Sequence, residues 1–241
     1  VAAVLAQDAQ PISLTSEVVD RIESMANHGS CGTEAEQRAS GMCNLYRMNR
    51  SVDEVARAFD LAAPLGLNVA SELYPKSNGL VIAEGGLRSM TWGFPLAQKS
   101  KVTGEPLKPR PVNNTRSDKL DSFMWRYSFA ERRCLIPLTA WAEAEGSKGE
   151  MTRTWLSVPG EEVFTAAAIW RASDEWGDCY SMVMTDAAGD AAAVHDRMPV
   201  ILAGDDRNTW TSGAEEDARA LCLPYQGSLT VERTSERWGK R

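Results

Sequence analysis

A cysteine that follows a methionine is chemically special if the methionine is removed, because the cysteine then carries a free α-amine beside its thiol. Met42-Cys43 is such a pair. A 1,2-aminothiol condenses with an aldehyde through nitrogen and closes through sulfur, giving a five-membered thiazolidine that an internal cysteine cannot form. An ordinary α-amine, with a pKa of about 7.7–8.0, is partly neutral near pH 7 and can start that reaction. The thiol is the second nucleophile. The competing reading makes Met42 internal and Cys43 a small buried hydrophobe, the usual fate of a free cysteine.

Proton transfer near neutral pH points to His195, since the only other histidine is His28. Two acids, Glu143 and Glu145, lie two apart in Trp141-Ala142-Glu143-Ala144-Glu145 and share a face if extended. Asn114 and Arg116 have the same spacing, which puts an amide and an anion-binding guanidinium on one face if extended. Asn113 competes with Asn114. Arg197 is a second phosphate ligand by chemistry, Trp92 a stacking surface for a base or a core residue, and Thr185 a residue that could line the site.

Four separated segments together resemble the SOS-response-associated peptidase family. They are Met42-Cys43, Asn114-Thr115-Arg116, Arg133-Cys134-Leu135-Ile136-Pro137 leading to Glu143, and His195-Asp196-Arg197-Met198-Pro199. Trp92-Gly93-Phe94 is similar to a fifth family segment. The family spacing prefers Asn114 over Asn113 and Glu143 over Glu145. Many members follow the cysteine with Gly-Arg; here Asn44-Leu45 stands instead, and Arg47 is the nearest arginine that could take over a phosphate. The resemblance implies a sensor of abasic sites in single-stranded DNA that shields them through a covalent thiazolidine crosslink. Cys43, Asn114, Glu143 and His195 would then be the reacting and proton-handling residues, and Arg116, Arg197 and Trp92 the DNA contacts. It implies no metal and no organic cofactor. The family name taken literally gives a rival, a cysteine peptidase that cuts before Cys43, and a non-covalent single-strand binder is a third reading.

These residues must be positioned by a fold of moderate size. The chain has 241 residues, 43% of them hydrophobic, enough for a core. The expectation is a leader or mis-called start over residues 1–41 and one domain over 42–241, behaving as a monomer. Within the leader, Ser16 is a candidate cap for a short helix ending at Gly29. No apolar run is long enough for a bilayer. Five cysteines without a C-x-x-C pair indicate neither a disulfide framework nor a zinc site, so a reducing cytoplasm is expected.

The net charge of −7 argues against a polyanionic partner only on average. Residues 99–133 carry nine Lys or Arg against four Asp or Glu, a local excess that suits phosphates or a solvated surface. Ser51-Val52-Asp53-Glu54 predicts a capping box opening a helix to about Leu61. Strands are predicted at 80–83 and 87–94 around a Glu84-Gly85-Gly86 turn, at 152–158 and 163–170 around Pro159-Gly160-Glu161-Glu162, and at 180–185. The proline-rich 99–114 segment reads as a long exposed loop. Pattern predicts an α+β domain with antiparallel hairpins; the resemblance adds a compact, sheet-rich, barrel-like form with peripheral helices.

Overall fold

The capping box forms as the sequence predicts. Ser51 accepts from the Glu54 amide, the Glu54 carboxylate accepts from the Ser51 amide at 2.7 Å, and the helix Val52–Ala58 buries Val55 and Ala56. This helix lies at the edge of a sheet-rich domain in the computed structural model, which describes residues 43–239. The expected leader and its Ser16 helix lie outside the described residues. So does Met42.

The strands are β1 (Leu45–Arg47), β2 (Glu72–Leu73), β3 (Asn78–Ala83), β4 (Gly86–Trp92), β5 (Phe94–Lys99), β6 (Pro106–Val112), β7 (Asn114–Arg116) and β8 (Arg133–Leu138). They continue with β9 (Ala140–Glu145), β10 (Thr152–Ser157), β11 (Phe164–Ser173), β12 (Gly177–Asp186), β13 (Arg197–Pro199), β14 (Ile201–Leu202) and β15 (Thr230–Arg237). Neighbours β12-β4-β3-β8-β11 close on themselves, because β11 also pairs with β12, so five strands form a barrel. A second sheet has the order β15-β10-β9-β1-β2. Closure removes the open edges that would otherwise invite pairing with another chain. The barrel-like α+β expectation therefore holds.

The turn at 84–86 joins β3 to β4 as predicted, with Ala83 opposite Gly86. Two other expectations need correction. Residues 159–162 do not close a hairpin: β10 lies between β9 and β15, while β11 joins the barrel beside β8 and β12. Local alternation marks each strand but not its partner, and here the turn carries the chain from one sheet to the other. The 99–114 segment is mostly strand, since β5 and β6 form a separate two-stranded ribbon. Its prolines are tolerated because each strand of a ribbon has an unpaired edge that needs no N–H. Beyond Trp92 the backbone turns sharply at Gly93, with φ +118°, where a Cβ would come within 2.6 Å of Pro111. Only glycine lets the ribbon leave the barrel there.

Candidate functional site

The site is built where β1 of the second sheet meets the segment entering β7. Strand β1 runs antiparallel to β9, with Leu45 opposite Ala142, so the residues just before β1 lie beside Glu143. Asn113 and Asn114 close over them from the other side. The Asn114 amide donates to the Cys43 carbonyl at 2.7 Å, and the Asn113 amide donates to the same oxygen and to Asn44 Oδ1, both at 3.1 Å. Two amides on one carbonyl fix the peptide plane that follows Cys43.

Cys43 is fully buried and its thiol lies 3.5 Å from the Leu45 carbonyl. Burial pushes the thiol well above its ordinary pKa, and Glu143 pushes it further whenever its carboxyl is ionised. Glu143 is 1% exposed, and burial likewise holds its carboxyl well above the usual range. Neither of its carboxylate oxygens has a hydrogen-bond partner, and neither has Asn114 Oδ1. A buried oxygen without a donor typically costs about 1–3 kcal/mol, so three beside one cysteine form an unsatisfied, ligand-ready arrangement. Glu145 differs. It accepts from Thr154 at 2.7 Å and pairs with Arg233 at 3.0 Å, which makes it a structural surface acid.

Strand β12 gathers the remaining residues. Strand β7 runs parallel along one side, with Asn114 opposite Met182 and Arg116 opposite Met184. Strand β13 runs antiparallel, with Met198 opposite Thr185 and Arg197 opposite Asp186. Arg116 is bound bidentately to Asp118 at 2.7 and 2.8 Å, and Arg197 pairs with Asp186 at 2.6 Å. The two pairs sense each other: Arg116 and Arg197 both lower the Asp118 pKa, and Asp186 supports the charge of Arg116. The two arginines that sequence marked as phosphate ligands thus share one charged rim.

His195 is half-buried after the short helix Gly189–Ala192. Its Nδ1 accepts from the Arg197 amide at 3.1 Å, which leaves the proton of the neutral ring on Nε2. Thr185 is buried and donates to the Cys222 carbonyl at 3.3 Å.

Trp92 corrects an expectation. It is fully buried, its ring packs edge-on against Tyr46 at 4.9 Å, and its indole N–H donates to the Asn113 carbonyl at 2.9 Å. No face is open for a base, because the ring supports the Asn113-Asn114 segment from inside. Arg47 also is not free: it pairs with Glu72 at 3.1 Å and lies 3.6 Å over Trp155.

Sequence reasoning missed Tyr46 and Tyr180, whose buried hydroxyls hydrogen-bond to each other and tie β1 to β12. It also missed Asp118 and Asp186. An acid two residues after Arg116 was the available signal for the first; no local signal marks the tyrosines, which lie 134 residues apart. Among the described residues no group of three His, Cys, Asp or Glu could hold a metal ion, and no helix is long and apolar enough to cross a membrane.

The family model described as SOS response associated peptidase matches residues 42–240. The chain belongs to this family. Membership ties it to proteins associated with the response to DNA damage. Solved structures share the fold. A protein from Bacteroides thetaiotaomicron is 16% identical with a TM-score of 0.66, covering 79% of this chain and 91% of that one. A protein from Bordetella bronchiseptica is 23% identical with a TM-score of 0.66, covering 80% and 99%. A phage-related protein from the same organism is 17% identical with a TM-score of 0.57, covering 80% and 94%. A search among curated proteins finds none that matches.

Proposed function

We propose that this chain, with Cys43 as its first residue, senses abasic sites in single-stranded DNA and shields them by a covalent thiazolidine crosslink. The cluster of unpartnered buried oxygens beside Cys43 carries this reading, because it supplies proton handling and an acceptor at the atoms the condensation uses. The Cys43 nitrogen adds to the aldehyde carbon of the ring-opened sugar, giving a carbinolamine. Protonated Glu143 gives its proton to the departing hydroxyl, which leaves as water from the Schiff base. The resulting carboxylate takes the proton of the thiol as Sγ bonds to the same carbon, and the Schiff-base nitrogen ends as the ring amine. One water is lost overall, and Glu143 returns to its neutral form.

Asn114 Oδ1 accepts from a sugar hydroxyl, and His195 Nε2–H faces the sugar oxygen in both directions of the reaction. Arg116 and Arg197 hold the flanking phosphates. No metal or organic cofactor enters these steps, the protein acts as a monomer, and a reducing cytoplasm keeps the thiol free.

A cysteine peptidase requires a thiolate, usually beside a histidine that lowers its pKa. Burial pushes the Cys43 thiol the opposite way, which favours amine attack first. The test uses protein started at Met42, with verified removal of the methionine, against abasic and intact oligonucleotides. A denaturant-resistant adduct with abasic DNA alone is the expected result. Salt-sensitive retention without an adduct supports a non-covalent binder, and cleaved peptides support the protease.

A further inference from the structure

Between the Arg116 rim and β8 the chain divides sharply into buried and open aromatic side chains. Leu120, Trp125 and Phe129 are buried, Trp125 packing at 5.2 Å against Phe94 and Phe129 at 5.7 Å against Trp210. They anchor the 3-10 turn Ser117–Lys119 and the helix Arg126–Glu131 to the domain. Phe123 and Tyr127 point away, 64% and 60% exposed, with ring centroids 6.4 Å apart and planes at 86°. Arg126 lies between them: its guanidinium is 4.6 Å from the Tyr127 ring and 5.5 Å from the Phe123 ring, and it donates to the Tyr127 hydroxyl at 2.7 Å.

Two large aromatic rings are seldom left open together on a stable surface unless something covers them. The local charge identifies the occupant. Among the described residues Arg126 and Lys119 have no carboxylate within ion-pair distance, and two of the unit's own acids are already engaged, Asp118 by Arg116 and Asp121 by Arg219. Rings interleaved with an unneutralised guanidinium present stacking faces and a phosphate ligand together, the combination used on unpaired strands. Phe123 follows Arg116 by seven residues, at most ~25 Å of extended chain, so one strand of a few nucleotides can reach both.

We infer that Phe123, Arg126 and Tyr127 form a second strand-binding platform, on which unpaired bases flanking the reacting site stack while Arg126 and Lys119 meet phosphates. Stacking tolerates any base, so the platform adds affinity without sequence preference. This rests on the reading of Cys43 as an abasic-site trap, and the measurement below separates the two.

Affinity is measured by fluorescence anisotropy with an abasic-free oligo-dT, and capture by denaturing gel with the abasic counterpart. Phe123→Ala with Tyr127→Ala should weaken oligo-dT binding about 5- to 150-fold. The slope of affinity against salt should stay as in wild type, because no phosphate ligand is lost. Phe123→Trp should keep wild-type affinity and show added fluorescence quenching on titration with oligo-dT. Its retained fold and binding separate loss of stacking from loss of structure. Unchanged oligo-dT affinity in the double alanine variant, or no added quenching in the tryptophan variant, overturns the platform. A change in oligomeric state by light scattering with oligo-dT binding intact also overturns it and makes the patch a protein contact. If wild type binds oligo-dT through the patch yet forms no adduct with abasic DNA, the trap falls and the platform stands.

Discussion

Glu143→Gln should make the protein more stable and its chemistry slower, and both effects follow from one observation. The carboxyl is buried with neither oxygen partnered, and burial raises its pKa. A group whose folded pKa lies above its unfolded value, about 4.3 for glutamate, binds its proton more tightly in the fold. The stability this contributes is fully present below pH ~4.3 and is lost as pH rises towards the folded value, by up to ~1.4 kcal/mol per unit. Glutamine has the same shape and does not titrate. The variant should therefore gain on wild type steadily above pH ~4.3, most visibly between pH 5 and 7. Keeping below pH 8 leaves the thiols out of the comparison. Urea unfolding at pH 4, 5, 6 and 7 gives the difference directly. The same variant should form adduct about 10²–10⁴-fold more slowly, the usual worth of a positioned acid or base. Parallel stability curves for the two proteins would show that Glu143 ionises freely in the fold, and would refute its assignment as a neutral proton donor.

Three further outcomes are expected. Protein verified to retain residues before Cys43 should form no stable adduct with abasic DNA, because an amide nitrogen cannot make the Schiff base; mass spectrometry of the denatured mixture checks this. His195→Ala should bind the strand as wild type does but form and reverse the adduct about 10²–10⁴-fold more slowly, seen by exchange against excess abasic competitor, and equal rates would return the histidine to a structural role. Arg116→Ala should weaken strand binding most at low salt and flatten its salt dependence by about one unit, whereas Asp118→Asn, which frees the same guanidinium, should strengthen binding with little change in stability, since an exposed pair is worth about 0–1 kcal/mol. Anisotropy from low to moderate salt reads both.

What was legible in the sequence was mostly local. The capping box at Ser51 and the Gly85-Gly86 turn each need only a few neighbouring residues, and both formed where the pattern placed them. The partnership of β10 with β15 was hidden because it joins residues about 80 apart, and alternation carries no address. Proline content misread the β5–β6 ribbon, where the absent N–H groups cost nothing on open edges. At the site, residue chemistry left Asn113 beside Asn114 and Glu145 beside Glu143, and the family resemblance picked out Cys43, Asn114 and Glu143, which the fold brings together through β1, β9 and the entry to β7. Trp92 was ambiguous in sequence because a tryptophan suits both a core and a base; only its buried contact with Tyr46 decides between them.

The arrangement separates charge by depth. Around Cys43 the ionisable groups are held neutral by burial, and the polar contacts to its carbonyl are uncharged amides. At the rim every proposed phosphate ligand of the β7 and β13 strands already has a carboxylate, Asp118 for Arg116 and Asp186 for Arg197. A phosphate must displace those carboxylates, so the rim gains less from an arbitrary anion than two bare arginines would. The interior responds to a group that can enter a buried site and use its unpartnered oxygens. In the proposed reaction a base-bearing nucleotide can reach the rim, but only a sugar without its base offers an aldehyde to the Cys43 nitrogen. On this reading discrimination comes from the covalent step and its neutral proton donor, while the arginines set how long a strand remains within reach of it.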